Sequence, residues 1–580
     1  MRLNFSPDAK VYNFEPLHYC FLCRIQNFRR NILRSLLATL LLLGMISTTA
    51  WGQQSNEPKK ENKKTSEPQA LKPQPAPPAN KPAEAAAPDE QKPDTGKADK
   101  DKDDKEEHYD MKEVPPVGTH HQVTLNGKAL SYTATAGRLP IKRGDGKIEA
   151  EMFFVAYTLE GQDAARRPLT FAFNGGPGSA TVWLHMGALG PKRVEMKPDG
   201  TMPAAPYHIS DNPWTLLDRS DLVLIDAIGT GYSRAASPEL FKKFWGVKGD
   251  IQGFSEFIRL YLSRYERWGS PLFLFGESYG TTRAAGIAAY SADHGISFNG
   301  ITLLSMALSF QTLEFNSTND EPYILLIPSF TMIAGYHHKL AADLAQDMAK
   351  ARQESEQWAS TEYAQALAKG DSLTPEERQK TIDQMARYTG LSRDLLDQAN
   401  LRIDVNKFTH YLLLDQKLRV GRLDGRFTGP DPRGLLDTPE YDPTEPTIVP
   451  PYTSVFHNYL RNELAYKTDM PYYVFAEDAG FEKWDWGSAV AGFPDTAAAL
   501  REAMVKNPYV KVLAMEGYYD LATPYFAANY TIDHLNLAPK YRGNISYATF
   551  ESGHMVYLST ESLKKLKADQ VGFMEKALGQ

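Results

Sequence analysis

Runs of apolar and polar positions divide the chain into a strand-rich beginning, a helical middle and a shorter strand-rich end. Residues 121–136 and 147–160 alternate and are rich in Val, Tyr, Thr and Phe, with tight-turn residues at Asn126-Gly127 and Gly144-Asp145-Gly146. Such alternation predicts strands joined by tight turns. Short continuous apolar runs follow at 168–173, 222–226 and 271–275, and again at 509–515 and 545–550. Runs of that length bounded by turn residues predict strands buried on both faces. Helical segments such as 251–265 and 281–289 lie between them, so the pattern is that of an α/β domain with a mainly parallel sheet. Over 336–367, 374–400 and 452–464 the spacing becomes helical, and Thr374-Pro375-Glu376-Glu377 unites a capping residue, a first-position proline and a third-position glutamate. A Pro- and Gly-rich section spans 429–451. The expected organisation is a sheet domain made of 114–310 and 496–580, interrupted by a mostly helical insertion, or lid, at 311–495.

The first 113 residues belong to neither part. Arg29, Arg30 and Arg34 precede the apolar run 36–46, and small residues lead to Ala50-Trp51-Gly52. That order of charged, apolar and small residues predicts a secretory signal over 1–52, cleaved before Gln53. Export to the periplasm or outside the cell is the expectation, with a tether through an uncleaved signal as the alternative, although the apolar run is shorter than the ~20 residues of a membrane span. Arg29-Arg30 also resembles the pair of a twin-arginine export signal. Residues 53–113 are mostly Pro, Ala, Lys, Glu, Gln and Asp, a composition that cannot offset the entropy of ordering and predicts a disordered linker. Both cysteines, Cys20 and Cys23, fall before the cleavage position, leaving the mature chain with none.

Composition narrows the function. The chain has 580 residues, 42% of them hydrophobic, enough for one large core or two smaller ones. A net charge of −7, and basic stretches such as 59–64 broken by Glu61 and Asn62, give no nucleic-acid footprint. Neither a metal nor a cofactor motif is present, and after signal cleavage no stable membrane span is expected.

The chemistry gathers at the ends of the predicted strands. Gly276-Glu277-Ser278-Tyr279-Gly280 follows the 271–275 run and precedes a small-residue helix. This G-x-S-x-G pattern places a serine on a sharp strand-to-helix turn with its hydroxyl exposed. Asn174-Gly175-Gly176-Pro177-Gly178-Ser179 leaves another strand as a glycine-rich loop, whose uncovered N–H groups suit an oxyanion hole. Asp520 and His554 each follow a later strand, and the order Ser, Asp, His is that of the α/β-hydrolase triad. His554 is one of 13 histidines, and its position and chain order single it out.

With these residues in view, the chain resembles the serine carboxypeptidase family, particularly its bacterial secreted members. Four blocks carry the resemblance: NGGPGS at 174–179, LIDAIGTGYS at 224–233, GESYG at 276–280 and SGHMV at 552–556; the stretch Gly517 to Asp520 is similar to the family's aspartate segment. The resemblance covers about 115–580. It implies an α/β-hydrolase fold with Ser278 as nucleophile, His554 as base and Asp520 as its orienter. It also implies an oxyanion hole from the N–H groups of Gly176 and Tyr279, and a site for the terminal carboxylate of a peptide substrate at Asn174 and Glu277. A protonated Glu277 can donate to a carboxylate, whereas an ionised one repels it, so activity should favour acidic or mildly acidic pH.

Three positions depart from the family pattern. A second glutamate usual before Leu189-Gly190-Pro191 is Ala188, a tryptophan usual two residues before the loop asparagine is Ala172, and a cysteine usual after Pro-Gly is Ser179. The first departure removes a carboxylate-binding donor. It keeps open an esterase, amidase or acyltransferase using the same triad, alongside a catalytically silent envelope-binding protein built on the same scaffold. Arg422, Asp424 and Arg426 in the insertion are candidates for substrate contact or, alternatively, for a solvated turn.

Overall fold

A computed structural model describes residues 111–434, 436–476, 483–487 and 493–580. The export signal, the cysteine pair and nearly all of the predicted linker lie outside the described residues. Among the described residues, no helix is long and apolar enough to cross a membrane.

Nine strands form the body of the main sheet: β1 Val117–Leu125, β2 Lys128–Lys142, β3 Ile148–Leu159, β4 Leu169–Phe173, β5 Asp221–Ile225, β6 Leu272–Glu277, β7 Gly300–Leu304, β8 Lys511–Gly517 and β9 Ile545–Phe550. Their order across the sheet is β1-β2-β3-β5-β4-β6-β7-β8-β9, with the short strand Arg234–Ala235 also paired to β3. β1, β2 and β3 pair antiparallel, β3 meets β5 antiparallel, and every pairing from β5 onward is parallel. Six parallel strands therefore carry their loops to one edge, where the chemistry of an open α/β sheet is found.

Alternation along each strand assigns side chains to the two faces. Phe153, Val155 and Tyr157 of β3 join a core with Leu513 and Met515 of β8. Their neighbours Met152, Phe154 and Ala156 join a second core with Val512 and Ala514. Both faces are covered, which is why the parallel strands read as unbroken apolar runs.

The helical section departs from the expected spacing in several places. Helix Glu321–Tyr336 was not predicted: Pro328 sits inside it and nearly all of it is buried, so no amphipathic stripe marks it. The segment expected to be helical from 336 instead has non-helical residues at its start, then helix Met348–Trp358, a π-helical turn at Ala359–Tyr363 and helix Ala364–Lys369. Helix Glu445–Asn462 starts within the Pro-rich section, with Pro at its first turn and Pro450 and Pro451 in its interior. Thr374 forms the predicted capping box with Glu377, and that helix ends in a left-handed Gly390.

Residues from Tyr323 to Val420 build a third core of their own, into which Tyr519 and Leu521 from the loop after β8 also pack. Helix Glu445–Asn462 instead joins the first core through Ile448, Tyr452, Val455, Phe456, Tyr459 and Leu460.

Candidate active site

All of β6 is buried, and Ser278 ends it at φ 61°, ψ −132° before helix Tyr279–Asp293 begins. A serine with positive φ is strained by about 1–3 kcal/mol and persists only where its surroundings over-determine it. Here the Ser278 N–H donates to Leu304 O at 2.9 Å, and the Thr281 N–H donates to Ser278 O at 2.8 Å. The flanking glycines allow the chain to double back. A Cβ at Gly276 would stand 2.2 Å from Gly280 O, and one at Gly280 would stand 2.7 Å from Phe173 O.

The glycine-rich loop after β4 rests on this turn. A Cβ at Gly175 would lie 2.4 Å from Tyr279 N, so only glycine brings the loop backbone this close to the helix start. Gly176 and Tyr279 line the same cavity, and neither N–H has an acceptor among the described residues. Two free donors, one at the positive end of a helix, converge where negative charge could develop. The loop is anchored from below. Arg283, fully buried in the helix that follows Ser278, donates to Asn174 O at 2.5 Å and pairs with Asp250 at 2.8 Å. The Thr181 N–H donates to Asp226 Oδ1 at 2.7 Å, and the Leu184 N–H to Asn174 Oδ1 at 2.9 Å.

Asp520 and His554 arrive on the loops after β8 and β9. His554 Nδ1 lies 2.7 Å from Asp520 Oδ2. The other carboxylate oxygen accepts from the N–H groups of Ala522 and Thr523 at 2.7 and 3.0 Å, while Thr523 Oγ1 donates to Oδ2 at 2.7 Å. Burial acts to lower the His554 pKa, but the Asp520 charge and hydrogen bond, with Glu277 adding to them, raise it above the ordinary 6.5. Ser278 and His554 line one cavity of about 550 Å³, together with Asn174, Gly176, Glu277 and Tyr279. The structure thus brings all sequence-predicted site residues except Asp520 to one cavity wall, with Asp520 behind His554.

Within 420–426, Asp424 and Arg426 do not form a solvated turn, while Arg422 is exposed and lines the cavity. Asp424 is fully buried; its Oδ2 accepts from the Gly553 N–H at 3.1 Å and from Arg426 Nη2 at 2.6 Å. Arg426 also donates to Glu551 O at 2.9 Å and to Ser552 Oγ at 3.1 Å. Leu423 O accepts from the backbone N–H of His554 at 2.7 Å, Arg422 O from that of Leu521 at 3.0 Å, and the Gly425 N–H donates to Tyr519 O at 2.8 Å. A short stretch of the insertion therefore ties together the loops that carry Asp520 and His554. Only the Arg422 and Leu423 side of it reaches the cavity.

Asn174 and Glu277 are both buried. Burial pushes the Glu277 carboxyl up to about 7, against the opposing effects of His554 and of hydrogen bonds from Tyr557 and Asn174. Tyr557 was not singled out by the sequence. Its hydroxyl donates to both Glu277 oxygens, at 3.1 and 2.8 Å, and the only sequence signal is its place directly after the SGHMV block. Ala188 is buried and is not among the residues lining the cavity. No group of three or more His, Cys, Asp or Glu side chains among the described residues is placed to hold a metal ion.

The strand order, with its antiparallel start and six parallel strands, and the strained serine at the end of β6 define an α/β-hydrolase. The chain belongs to the serine carboxypeptidase family, whose model matches residues 128–571, a span containing every site residue described above. Among curated proteins none matches. Several solved structures are similar over most of the chain. A thermostable carboxyl esterase from Bacillus coagulans is 12% identical, with 76% of this chain and 98% of that one covered and a TM-score of 0.31. For a thermophilic esterase from Thermogutta terrifontis the identity is 12%, the coverage 76% and 99%, and the TM-score 0.30. The peroxisomal alpha-beta-hydrolase Lpx1 from Saccharomyces cerevisiae is 10% identical over 77% of this chain and 90% of its own, with a TM-score of 0.31. The strand order, not these likenesses, defines the fold.

Proposed function

We propose that this protein is an exported serine carboxypeptidase that removes C-terminal residues from peptides through an acyl-enzyme. The observation that carries this reading is the buried pair Asn174 and Glu277 on the wall of the cavity that holds Ser278 and His554. A substrate's terminal carboxylate placed against a protonated Glu277 accepts a hydrogen bond, and this sets the last peptide bond before Ser278. Ser278 Oγ attacks the scissile carbonyl carbon while His554 Nε2 takes its proton. The Gly176 and Tyr279 N–H groups hold the oxyanion, and Asp520 stabilises the imidazolium through Nδ1. His554 then gives the proton to the departing amine. Water, deprotonated by the same imidazole, adds to the acyl group and releases Ser278.

The test compares an N-blocked dipeptide acid with its C-terminal amide across roughly pH 4 to 8. Catalysis needs neutral His554, so both substrates lose kcat/KM as pH falls through its raised pKa. Recognition of the acid also needs protonated Glu277, so kcat/KM for the acid alone falls as pH rises through about 7. Because the two groups interact, the limbs report the pair rather than either residue. Equal turnover of acid and amide at all pH values would replace this reading with an esterase, amidase or acyltransferase, the alternative that Ala188 favours.

Export is part of the same proposal and rests on the leader's charged, apolar and small-residue order. Mass spectrometry of the chain recovered from an exporting host should show an N-terminus at Gln53. An intact leader on membrane-associated protein would establish the tethered form instead.

A further inference from the structure

We propose that Tyr557 is a specificity-determining residue: its hydroxyl, bonded to both oxygens of Glu277, fixes that carboxyl on the cavity wall and limits the pH range over which it can receive a terminal carboxylate. The inference rests on the carboxypeptidase reading, and its own footing is geometric. Ala188 has no polar side chain to offer and does not line the cavity. Tyr557 is fully buried, and its ring lies against the turn that contains Ala188: a Cβ at Gly187 would stand 2.5 Å from Tyr557 Cε2 and 2.7 Å from the Tyr452 hydroxyl. Gly187 thus leaves the space in which the tyrosine reaches Glu277. The hydroxyl approaches the two carboxyl oxygens at 3.1 and 2.8 Å and fixes the plane of the group.

Burial and the nearby Glu277 push the Tyr557 hydroxyl well above its ordinary pKa, so it remains a donor at every working pH. A permanent donor favours ionised Glu277, whereas burial favours the protonated form. The other groups facing Glu277 are His554, which favours its ionised form, Asp520, which opposes it, and the Asn174 amide, which supports it. Tyr452 stands close enough for Glu277 to oppose ionisation of its own hydroxyl. Tyr557 sets how far up the pH scale the site accepts a free carboxylate.

Tyr557→Phe removes one oxygen and keeps the ring against Gly187. Its effect is read without substrate by pH-difference infrared spectroscopy, with Glu277→Gln subtracted to assign the protonated Glu277 carboxyl band. The midpoint of that band should rise by about one pH unit in Tyr557→Phe, the size expected for losing one hydrogen bond to a charged group. The alkaline rise in KM for the dipeptide acid should move upward with it, and the amide should show no such limb in either protein. A band midpoint that stays in place or moves down overturns the role of Tyr557. A midpoint that rises while the wild-type enzyme treats acid and amide alike leaves Tyr557 as the residue that holds Glu277, and overturns the carboxypeptidase reading instead.

Discussion

Ser278→Ala is expected to lower kcat for an N-blocked dipeptide acid by roughly 10⁶-fold, the cost of deleting the nucleophile where serine and histidine act as a unit. The turn should survive the change. Its bonds run through the Ser278 backbone, with the N–H on Leu304 O and the carbonyl under Thr281 N, and alanine keeps both groups. What disappears is the oxygen that forms the ester. The glycine-loop and helix N–H donors remain, and with them a residual rate from oxyanion stabilisation and binding. Steady-state turnover with single-turnover controls measures the loss, and labelling by a serine-directed fluorophosphonate should vanish with it. Retention of turnover within tenfold of wild type would remove Ser278 from the mechanism.

The second large effect is expected at Asp520→Asn, where kcat should fall by roughly 10⁴-fold with the fold intact. The hydrogen bonds around Asp520 dictate the outcome. One carboxylate oxygen is fixed by the N–H groups of Ala522 and Thr523, so an asparagine must turn its carbonyl toward them. Its amide NH₂ then faces His554 Nδ1, where the carboxylate now accepts at 2.7 Å. Facing a donor, Nδ1 must give up its proton, and the neutral imidazole carries its hydrogen on Nε2 instead. That tautomer cannot take a proton from Ser278. The loss should ease at high pH only to the extent that other bases replace His554. A fall of less than tenfold would mean that His554 is not oriented through this carboxylate.

Most strand positions, though not that of β7 at Gly300–Leu304, and the chemistry at their ends were legible because both are local. β4, β5, β6 and β8 each lie within two residues of an apolar run, and β9 coincides with one. The serine turn, the glycine loop and the loops of Asp520 and His554 are short motifs fixed by the strands beside them. What was not legible depends on distant partners. Helix Glu321–Tyr336 is apolar on nearly every side because helices and loops from elsewhere enclose it, so no period betrays it. Asp424 and Arg426 read as surface charges, since nothing near them in sequence reveals that Gly553 and Ser552 bury and satisfy them. Tyr557 lies 280 residues from the carboxyl it contacts, beyond the reach of any local pattern.

The tie between residues 420–426 and the loops of Asp520 and His554 means that both loops are braced by a distant part of the chain, 129 residues upstream in the Asp424 contact with Gly553. Exchanging or trimming this part of the insertion would remove the hydrogen bonds that brace both loops, so the insertion is coupled to the site as a support as well as a cover.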